Sequence, residues 1–256
     1  MEPLNSSESV LNGQVAIVTG VSSGLGRATA LALAKAGARI ALIARREEEL
    51  VAVATEIEAN GGRALVLPLD LAQGNEMTTI AQRTIAAFER IDILVNAAGT
   101  DVPGAISKLT LEEWDRVLNV NLRASFLLAK AVFPHMQQAG RGTIVNISSV
   151  AGKRGWANAG AYCASKFGLT GLTQALAAEG RAYGIRACVL YPGGMATNWG
   201  DLSQPKSSQR QGDSLPATRA LPPSEVAALI VWIAAAPKEL VLNEVIIAPL
   251  QETGWP

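Results

Sequence analysis

The sequence predicts an α/β fold in which a parallel sheet is covered by helices on both faces. Short apolar runs alternate with longer runs of helical periodicity almost to the end of the 256-residue chain. The short runs lack the polar alternate positions of a half-exposed strand, which indicates burial on both sides. Strands of this kind separated by helices are typical of a parallel sheet between two helical layers.

Seven short apolar runs are predicted as strands, and they lie at residues 14–19, 39–44, 64–69, 91–96, 142–147, 185–191 and 241–247. Six longer runs have apolar residues at helical spacing, and they lie at residues 24–36, 47–60, 76–89, 111–138, 159–183 and 223–235. In the second helix, for example, Leu50, Val53, Ala54 and Ile57 share one face, and the pattern stops at a Gly-Gly pair.

No internal repeat and no Gly/Ser-rich linker divides the chain. We therefore expect residues 1–12 to form a disordered or extended arm and residues 13–256 to form a single domain. Residues 198–222 are rich in Ser, Gln, Pro and Arg and follow the carboxyl end of a predicted strand. Ligands bind at that edge of open α/β sheets, so this long loop is predicted to cover the substrate.

The composition argues against several classes of function. Lys+Arg and Asp+Glu are both 22, so no net field attracts nucleic acid or an anionic membrane. The apolar run 226–236 is too short to span a bilayer, and the polar N-terminus does not read as a signal peptide. Two cysteines and one histidine do not form a metal-ligand pattern or a disulfide framework. We expect a cytoplasmic protein without a metal.

A glycine-rich turn joins the first predicted strand to the first predicted helix. Glycines there permit a tight turn and a close approach of a pyrophosphate, while the helix start offers free N–H groups. The expected binding residues of this turn are Gly20, Ser22, Ser23, Gly24, Leu25 and Gly26. An ordinary βα turn remains the alternative, but its place near the chain start, between strand and helix, favours a dinucleotide site.

The second predicted strand ends in Arg45 and Arg46 rather than in an acidic residue. An acid near this point holds the ribose hydroxyls of NAD, whereas an arginine accommodates the 2′-phosphate of NADP. We therefore predict NADP(H) as the cofactor. The alternative is that both arginines only begin a solvated helix with the acidic residues 47–49.

Tyr162 and Lys166 stand four residues apart in a helical pattern and so share one face. A free phenol has a pKa of about 10, and a neighbouring ammonium lowers it toward the neutral range. Ser149 lies just after the strand 142–147, from which its hydroxyl can bind the same substrate oxygen. Together these residues predict proton transfer to or from an alcohol or carbonyl oxygen.

With the glycine-rich turn, these residues resemble the short-chain dehydrogenase/reductase family. The motifs occur in the family's order. After the glycine-rich turn they are Asn96-Ala97-Ala98-Gly99, Asn121, Ser149, Tyr162, Lys166 and Pro192-Gly193 with Thr197. The resemblance implies a Rossmann-type, doubly wound, seven-stranded parallel sheet and a homotetramer or homodimer. It also implies a catalytic set of Asn121, Ser149, Tyr162 and Lys166, in which Asn121 holds a water that links Lys166 to solvent.

The same resemblance implies further cofactor contacts. Asp70 would contact the adenine together with Leu71, and Thr197 and the backbone around Met195 would hold the nicotinamide carboxamide. The other implied contacts are Asn96, Ala97, Gly99, Pro192, Tyr162 and Lys166. Ala97 departs from the family's usual second asparagine, so an amide that supports this loop is missing. The C-terminus, with Asn243-Glu244 and no Asp-Gly-Gly, resembles the branch of hydroxy-acid and aldehyde dehydrogenases.

The substrate is less well defined by the sequence. Candidate wall residues are mostly apolar and favour a small to medium organic carbonyl compound or alcohol; they are Val150, Trp156, Gly194, Met195 and Trp199. Lys153 or Arg154 could bind a substrate carboxylate or could simply be solvated.

Two other functions remain open. A 3-oxoacyl-(acyl-carrier-protein) reductase needs cations that grip an acidic carrier. The two arginines that serve this in the resembling enzymes correspond to Gly140 and Tyr183, with Arg141 and Arg181 as adjacent substitutes. A non-catalytic dinucleotide-binding regulator is the second alternative. The joint presence of Ser149, Tyr162 and Lys166 argues against it.

Overall fold

A computed structural model describes residues 9–73, 76–197, 220–250 and 252. The strands are β1 (Val15–Thr19), β2 (Arg39–Ala44), β3 (Ala64–Pro68), β4 (Ile93–Asn96), β5 (Gly142–Ile147), β6 (Ile185–Pro192) and β7 (Glu244–Ile247). The helices are α1 (Gly24–Lys35), α2 (Glu47–Ala59), α3 (Met77–Phe88), α4 (Leu111–Leu118), α5 (Ala124–Ala139), α6 (Gly160–Gly180) and α7 (Pro223–Ala235). The seven strands form one sheet in the order β3-β2-β1-β4-β5-β6-β7.

Every strand pair in this sheet is parallel. Side chains alternate between the two faces, so Ile17 and Leu94 enter a core shared with α3, α5 and α6. Val18 and Val95 enter the opposite core, which α1, α2 and α7 cover. The predicted doubly wound sheet is therefore confirmed, and its predicted strand and helix bounds differ from the observed ones by at most three residues.

The chain between residues 111 and 139 corrects one prediction. Instead of one continuous helix, α4 and α5 are separated by a turn of π-helix, Asn119–Arg123. Asn121 lies within that turn, and its side-chain amide binds the backbone of Thr100. A π-turn has one residue more than an α-turn, and such turns concentrate at functional sites.

The structure packs residues 9–12, which the sequence assigned to the N-terminal arm, against the core. Leu11 is fully buried in the core beside α1, and its N–H donates to the carbonyl oxygen of Ala36 at 2.9 Å. Burial of this apolar side chain is favourable, whereas in an extended arm it would remain exposed to water. Residues 9–12 therefore belong to the packed domain, while the rest of the predicted arm lies outside the described residues.

Of the predicted substrate loop 198–222, residues 220–222 are described. Leu221 pairs with Met195: its N–H donates to the Gly194 carbonyl, and its own carbonyl accepts from Ala196, both at 2.9 Å. The two ends of the loop are thus joined next to β6. No helix in the described part of the chain combines the length and apolar character needed to cross a bilayer.

Candidate active site

The predicted site residues gather at one edge of the sheet. The carboxyl ends of β1, β4, β5 and β6 lie there side by side because these strands are parallel and adjacent. The sheet continues from β1 through β2 and β3 to one side and from β4 through β5 to β7 on the other. Ligands bind at such a switch point between two neighbouring strands.

The turn after β1 is shaped by its glycines. Gly20 has a φ of 74°, and a Cβ on it would lie 2.8 Å from the Ala98 Cα. A Cβ on Gly26 would lie 2.3 Å from the Gly20 carbonyl oxygen. The turn therefore packs so closely, at Gly20 against Ala98 after β4 and at Gly26 against the turn itself, that these positions accept glycine alone.

The first turn of α1 is open to an anion. Ser23 precedes the helix without capping it through its side chain, and no acidic residue occupies the first turn. The leading N–H groups and the positive end of the helix dipole are thus available to a phosphate. This geometry fits the pyrophosphate of a dinucleotide.

A cleft of about 300 Å³ opens beside this helix start. Its lining residues are Gly24, Arg27, Ala28, Ala196, Thr197 and Pro223. A Cβ on Gly24 would lie 3.3 Å from the Thr197 side chain, so the structure brings the predicted phosphate turn and the predicted nicotinamide contact together. Arg27, which the sequence pattern did not single out, is held at this cleft by Glu56 at 2.5 Å.

The two arginines after β2 have different environments. Arg46 pairs with Glu49 at 3.6 Å, one helical turn away, and is exposed. Arg45 is also exposed, and no ion pair joins it to another described residue. Asp70 lies just after β3 and is exposed; it accepts a hydrogen bond from the Ala72 N–H at 3.0 Å, beside the buried Leu71. This turn fixes the direction of the carboxylate.

Tyr162 and Lys166 occupy the start of α6 and are 7% and 3% exposed. The Lys166 Nζ lies 5.6 Å from the centre of the Tyr162 ring and donates to the carbonyl oxygen of Ile147 at 2.7 Å. Burial lowers the pKa of Lys166 to about 8, and the Asp101 carboxylate opposes that effect. The lysine therefore titrates far closer to neutrality than a lysine in water.

Ser149 follows β5 and is 8% exposed. Its hydroxyl accepts from the Ala151 N–H at 3.1 Å and so begins a short 3₁₀ turn, Val150–Gly152. Trp156 packs against a small buried cluster that includes Tyr162. The structure therefore brings the serine end of β5, the aromatic wall and the tyrosine to the same part of the sheet edge.

Asn121 is 1% exposed, and its amide is bound on both sides. Its Oδ1 accepts from the Thr100 N–H at 2.8 Å, and its Nδ2 donates to the Thr100 carbonyl at 2.9 Å and to the Ser165 Oγ at 3.0 Å. The side chain thus joins the loop after β4 to the residue before Lys166. The expected role of Asn121 in holding a water stays a prediction.

The loop that lacks the usual second asparagine is supported from β1. The Thr19 Oγ1 accepts from the N–H groups of Ala97 and Ala98, both at 3.0 Å. Asn96 turns into the protein, where its Nδ2 donates to the Asn146 Oδ1 at 2.8 Å. Any contact of Asn96, Ala97 or Gly99 with a cofactor must therefore use a part of the loop other than the Asn96 Nδ2.

Lys153 is bound within the protein. Its ammonium pairs with Glu244 at the start of β7 and lies 4.5 Å from the centre of the Tyr191 ring. The Glu244 carboxylate also accepts from the Gln174 Nε2 at 2.7 Å and from the Tyr191 hydroxyl at 3.1 Å. The hypothesis that Lys153 binds a substrate carboxylate is therefore not supported, because its charge is already neutralised.

The backbone after β6 is held by the C-terminal segment. Gly194 donates its N–H to the Glu252 carboxylate at 3.0 Å, and that carboxylate covers Gly193 so closely that a Cβ would clash with it. Gly194 and Met195 thus take a defined path after Pro192. Trp199 lies outside the described residues. No group of three potential metal ligands occurs among the residues that the structure describes.

Comparisons with known proteins agree with this geometry. The model of the family described as short chain dehydrogenase matches residues 14–208. The chain belongs to the short chain dehydrogenase family. The resemblance of the sequence to this family is thereby confirmed, as is the prediction of an oxidoreductase.

Relatives of this short chain dehydrogenase have diverse names. A 3-oxoacyl-[acyl-carrier-protein] reductase of Synechocystis is 37% identical over 89% of this chain and 91% of its own length. A D-threitol dehydrogenase of Mycolicibacterium smegmatis is 38% identical over 88% and 87%. A metagenomic short-chain oxidoreductase, solved in complex with NADP, superposes with a TM-score of 0.81 at 37% identity, over 94% of this chain and 99% of that one.

Proposed function

We propose that this protein transfers a hydride between NADP(H) and a small to medium alcohol or carbonyl compound, with Tyr162 as the acid/base. The observation that carries the proposal is the common position of Tyr162, Lys166 and Ser149. These side chains lie at the same sheet edge as the open helix start after β1. A nucleotide-binding protein without catalysis has no use for that combination.

The residues have separate tasks in this reaction. The nicotinamide, when bound, supplies or accepts the hydride. Tyr162 gives a proton to the carbonyl oxygen or takes one from the alcohol, and the ammonium of Lys166 stabilises the phenolate that results. Ser149 holds the same oxygen by a hydrogen bond. Asn121 joins the backbone of Thr100 to the hydroxyl of Ser165, the residue before Lys166.

The choice of NADP(H) rests on Arg45. It stands exposed at the end of β2, and the neighbouring Arg46 is drawn toward Glu49. A guanidinium at this position suits a 2′-phosphate, and no acid from β2 opposes it. The solved relative in complex with NADP, at 37% identity, supports the same choice.

The substrate contacts proposed for this chain are Val150, Trp156 and Gly194, with Trp199 outside the described residues. Trp156 packs against the cluster that holds Tyr162, which favours a substrate with an apolar part next to its reacting oxygen.

A panel of ketones, aldehydes, 3-oxo acids, polyols and hydroxy acids, assayed with NADPH or NADP⁺ and in parallel with NADH or NAD⁺, tests the proposal. We expect turnover of at least one of these classes of compound and a preference for NADP(H) over NAD(H). Tight NADPH binding without turnover of any class would favour the non-catalytic regulator instead.

The acyl-carrier-protein reductase remains the second candidate because a relative at 37% identity has that name. Arg141 lies before β5 and pairs with Asp92 at 3.5 Å, and Arg181 lies before β6. Both are at the amino edge of the sheet, opposite the active-site edge of the same chain. They could face an active site only on a second subunit. Faster reduction of a carrier-bound 3-oxoacyl group than of the same group on a small thiol would favour this candidate.

We also propose a homodimer or homotetramer. Phe126 on α5 and Phe167 on α6 are each 46% exposed, and large apolar side chains of this kind concentrate at contacts between subunits. Sedimentation of the wild type and of the Phe126→Asp, Phe167→Asp variant tests this: we expect a smaller particle for the variant, and a monomeric wild type contradicts the proposal.

The domain boundaries and the compartment are proposals of the same kind. Residues 13–256 are proposed to form one domain, with residues 9–12 packed against it, since a single sheet joins β1 to β7. A cytoplasmic location is proposed because Cys163 and Cys188 are both free and buried, which suits a reducing compartment.

A further inference from the structure

Asp101 is a carboxylate close to the catalytic helix that the sequence pattern did not single out. It follows Thr100 in the loop that leaves β4, and its Oδ1 is shut off from solvent. We propose that Asp101 is the counter-charge that keeps Lys166 in its ammonium form. Asp101 is then a positioning residue for proton transfer at Tyr162. The inference deepens the proposed function and depends on it.

The side chain of Asn121 connects the loop after β4, which contains Asp101, to the start of α6, which contains Lys166. Asn121 binds both the N–H and the carbonyl of Thr100, the residue before Asp101. Its Nδ2 also donates to the hydroxyl of Ser165, the residue before Lys166, at 3.0 Å. Because Asn121 is 1% exposed, this link lies inside the protein. The loop after β4 cannot move relative to the start of α6 without breaking it.

The ammonium of Lys166 needs such a partner because it is buried. Its direct hydrogen bond goes to the neutral carbonyl of Ile147 on β5, and Asn121 in the π-turn is also neutral. Among the described residues, the titratable groups that act on Lys166 are Tyr162 from α6, whose ring the ammonium approaches, and Asp101, whose charge acts from the loop after β4. An isolated ammonium in such a place gives up its proton rather than remain charged.

The electrostatics agree with this arrangement. Burial lowers the pKa of Lys166 to about 8, and Asp101 raises it against that effect. Removal of the carboxylate leaves burial unopposed, so the lysine becomes neutral at a lower pH. A neutral amine no longer stabilises the phenolate of Tyr162, and proton transfer then slows in both directions.

The direct test measures the titration of Lys166 in the cofactor-free protein, without any turnover. Lysines carrying a ¹³C label at Cε are followed by NMR against pH, and Lys166→Arg identifies the resonance that titrates near pH 8. In Asp101→Asn we expect this midpoint to fall by about one pH unit or more. Asp101→Ser makes the same change with a smaller side chain, in case the asparagine variant does not fold.

Two controls separate charge from structure. Asp101→Glu retains the charge and should restore the midpoint toward the wild-type value. Glu58→Gln removes an equal charge from the exposed face of α2 and should leave the midpoint unchanged. A Lys166 midpoint that is the same in wild type and in the folded Asp101→Asn or Asp101→Ser variant would overturn the proposal.

The pH profile of kcat/KM gives the functional readout on any substrate found active. The alkaline limb should move to lower pH in Asp101→Asn, while the rates of variant and wild type at pH values well below about 7 stay within about threefold. A uniform loss at every pH, without movement of the limb, would assign Asp101 a purely structural role. The NMR result does not need an active substrate, so failure of the proposed function and failure of this inference are distinguishable.

Discussion

The ammonium nitrogen of Lys166 lies 5.6 Å from the centre of the Tyr162 ring, one helical turn further along α6. Both side chains are more than nine-tenths buried, so the field of the ammonium reaches the phenol through protein rather than through water. An opposite charge in such surroundings stabilises the phenolate far more than it would at the surface. This relationship is the basis for assigning the proton transfer to Tyr162.

Tyr162→Phe should abolish turnover while leaving the cofactor site intact. The variant lacks the hydroxyl that exchanges the proton, and a positioned acid/base contributes about 10²- to 10⁴-fold to the rate. We expect kcat to fall by at least the lower figure and the Kd for NADPH, from quenching of tryptophan fluorescence, to stay within a few-fold. Tyr183→Phe, at an exposed tyrosine, is the matched control and should retain activity. An active Tyr162→Phe enzyme would show that another group carries the proton.

Burial of Lys166 predicts a specific dependence of stability on pH. Its pKa is about 8 in the folded protein and 10.5 as a free side chain, so between these values the unfolded chain binds more protons. The free energy of unfolding therefore rises with pH across this window through this group, by up to roughly 3 kcal/mol. Urea unfolding of wild type and Lys166→Met at neutral pH and near pH 10.5 measures it. The free energy of unfolding of the wild type should increase relative to that of the variant at the higher pH. A difference between the two that stays constant with pH contradicts the depressed pKa.

The fold and the reacting side chains could be predicted because their signals are local. A buried strand shows as an apolar run, and Tyr162 and Lys166 show as a spacing on one helix face. The link from Glu244 to Lys153 joins residues 91 positions apart, and no local pattern reports it. The same holds for Asp101, whose importance depends on the burial of Lys166. The π-turn at Asn121 could not be predicted in this way. It accompanies a tertiary contact, the hydrogen bond between the Asn121 side chain and the backbone of Thr100, and helical periodicity does not report such a contact.

Arg45→Gln should weaken NADPH far more than NADH. A charge-assisted hydrogen bond to the 2′-phosphate contributes about 1.5–3 kcal/mol, which corresponds to a tenfold or larger change in KM. Arg46→Gln is the control from the same turn, because that side chain is directed to Glu49 at 3.6 Å. Steady-state kinetics with both cofactors measure the effect. Equal selectivity in Arg45→Gln and wild type would mean that another residue, such as Ser22 or Ser23, binds the phosphate.

Gly26→Ala should remove cofactor binding, although alanine favours helices. The new methyl group would lie 2.3 Å from the Gly20 carbonyl oxygen, so the phosphate turn has to open. Gly171→Ala on α6 is the matched control: nothing lies within 4 Å of a Cβ there, and the change should stabilise the protein by about 0.5–1 kcal/mol. NADPH titration and thermal unfolding compare the two variants. If Gly26→Ala binds NADPH as the wild type does, the turn is not the phosphate site.

Glu244→Gln should destabilise the protein at neutral pH but not in acid. The hydrogen bond from Lys153 is the main cause that holds the pKa of Glu244 below its ordinary value. A depressed carboxyl pKa contributes stability above the unfolded value, and that contribution disappears as the pH falls through the folded value. Lys153 and Glu244 are about 30% exposed, so we expect a loss of about 1 kcal/mol or less at neutral pH. Urea unfolding of both proteins at neutral and acidic pH measures it. In a Lys153→Met background the substitution should cost less, since the ion pair is already absent; an undiminished cost there would assign the effect to Gln174 and Tyr191 instead.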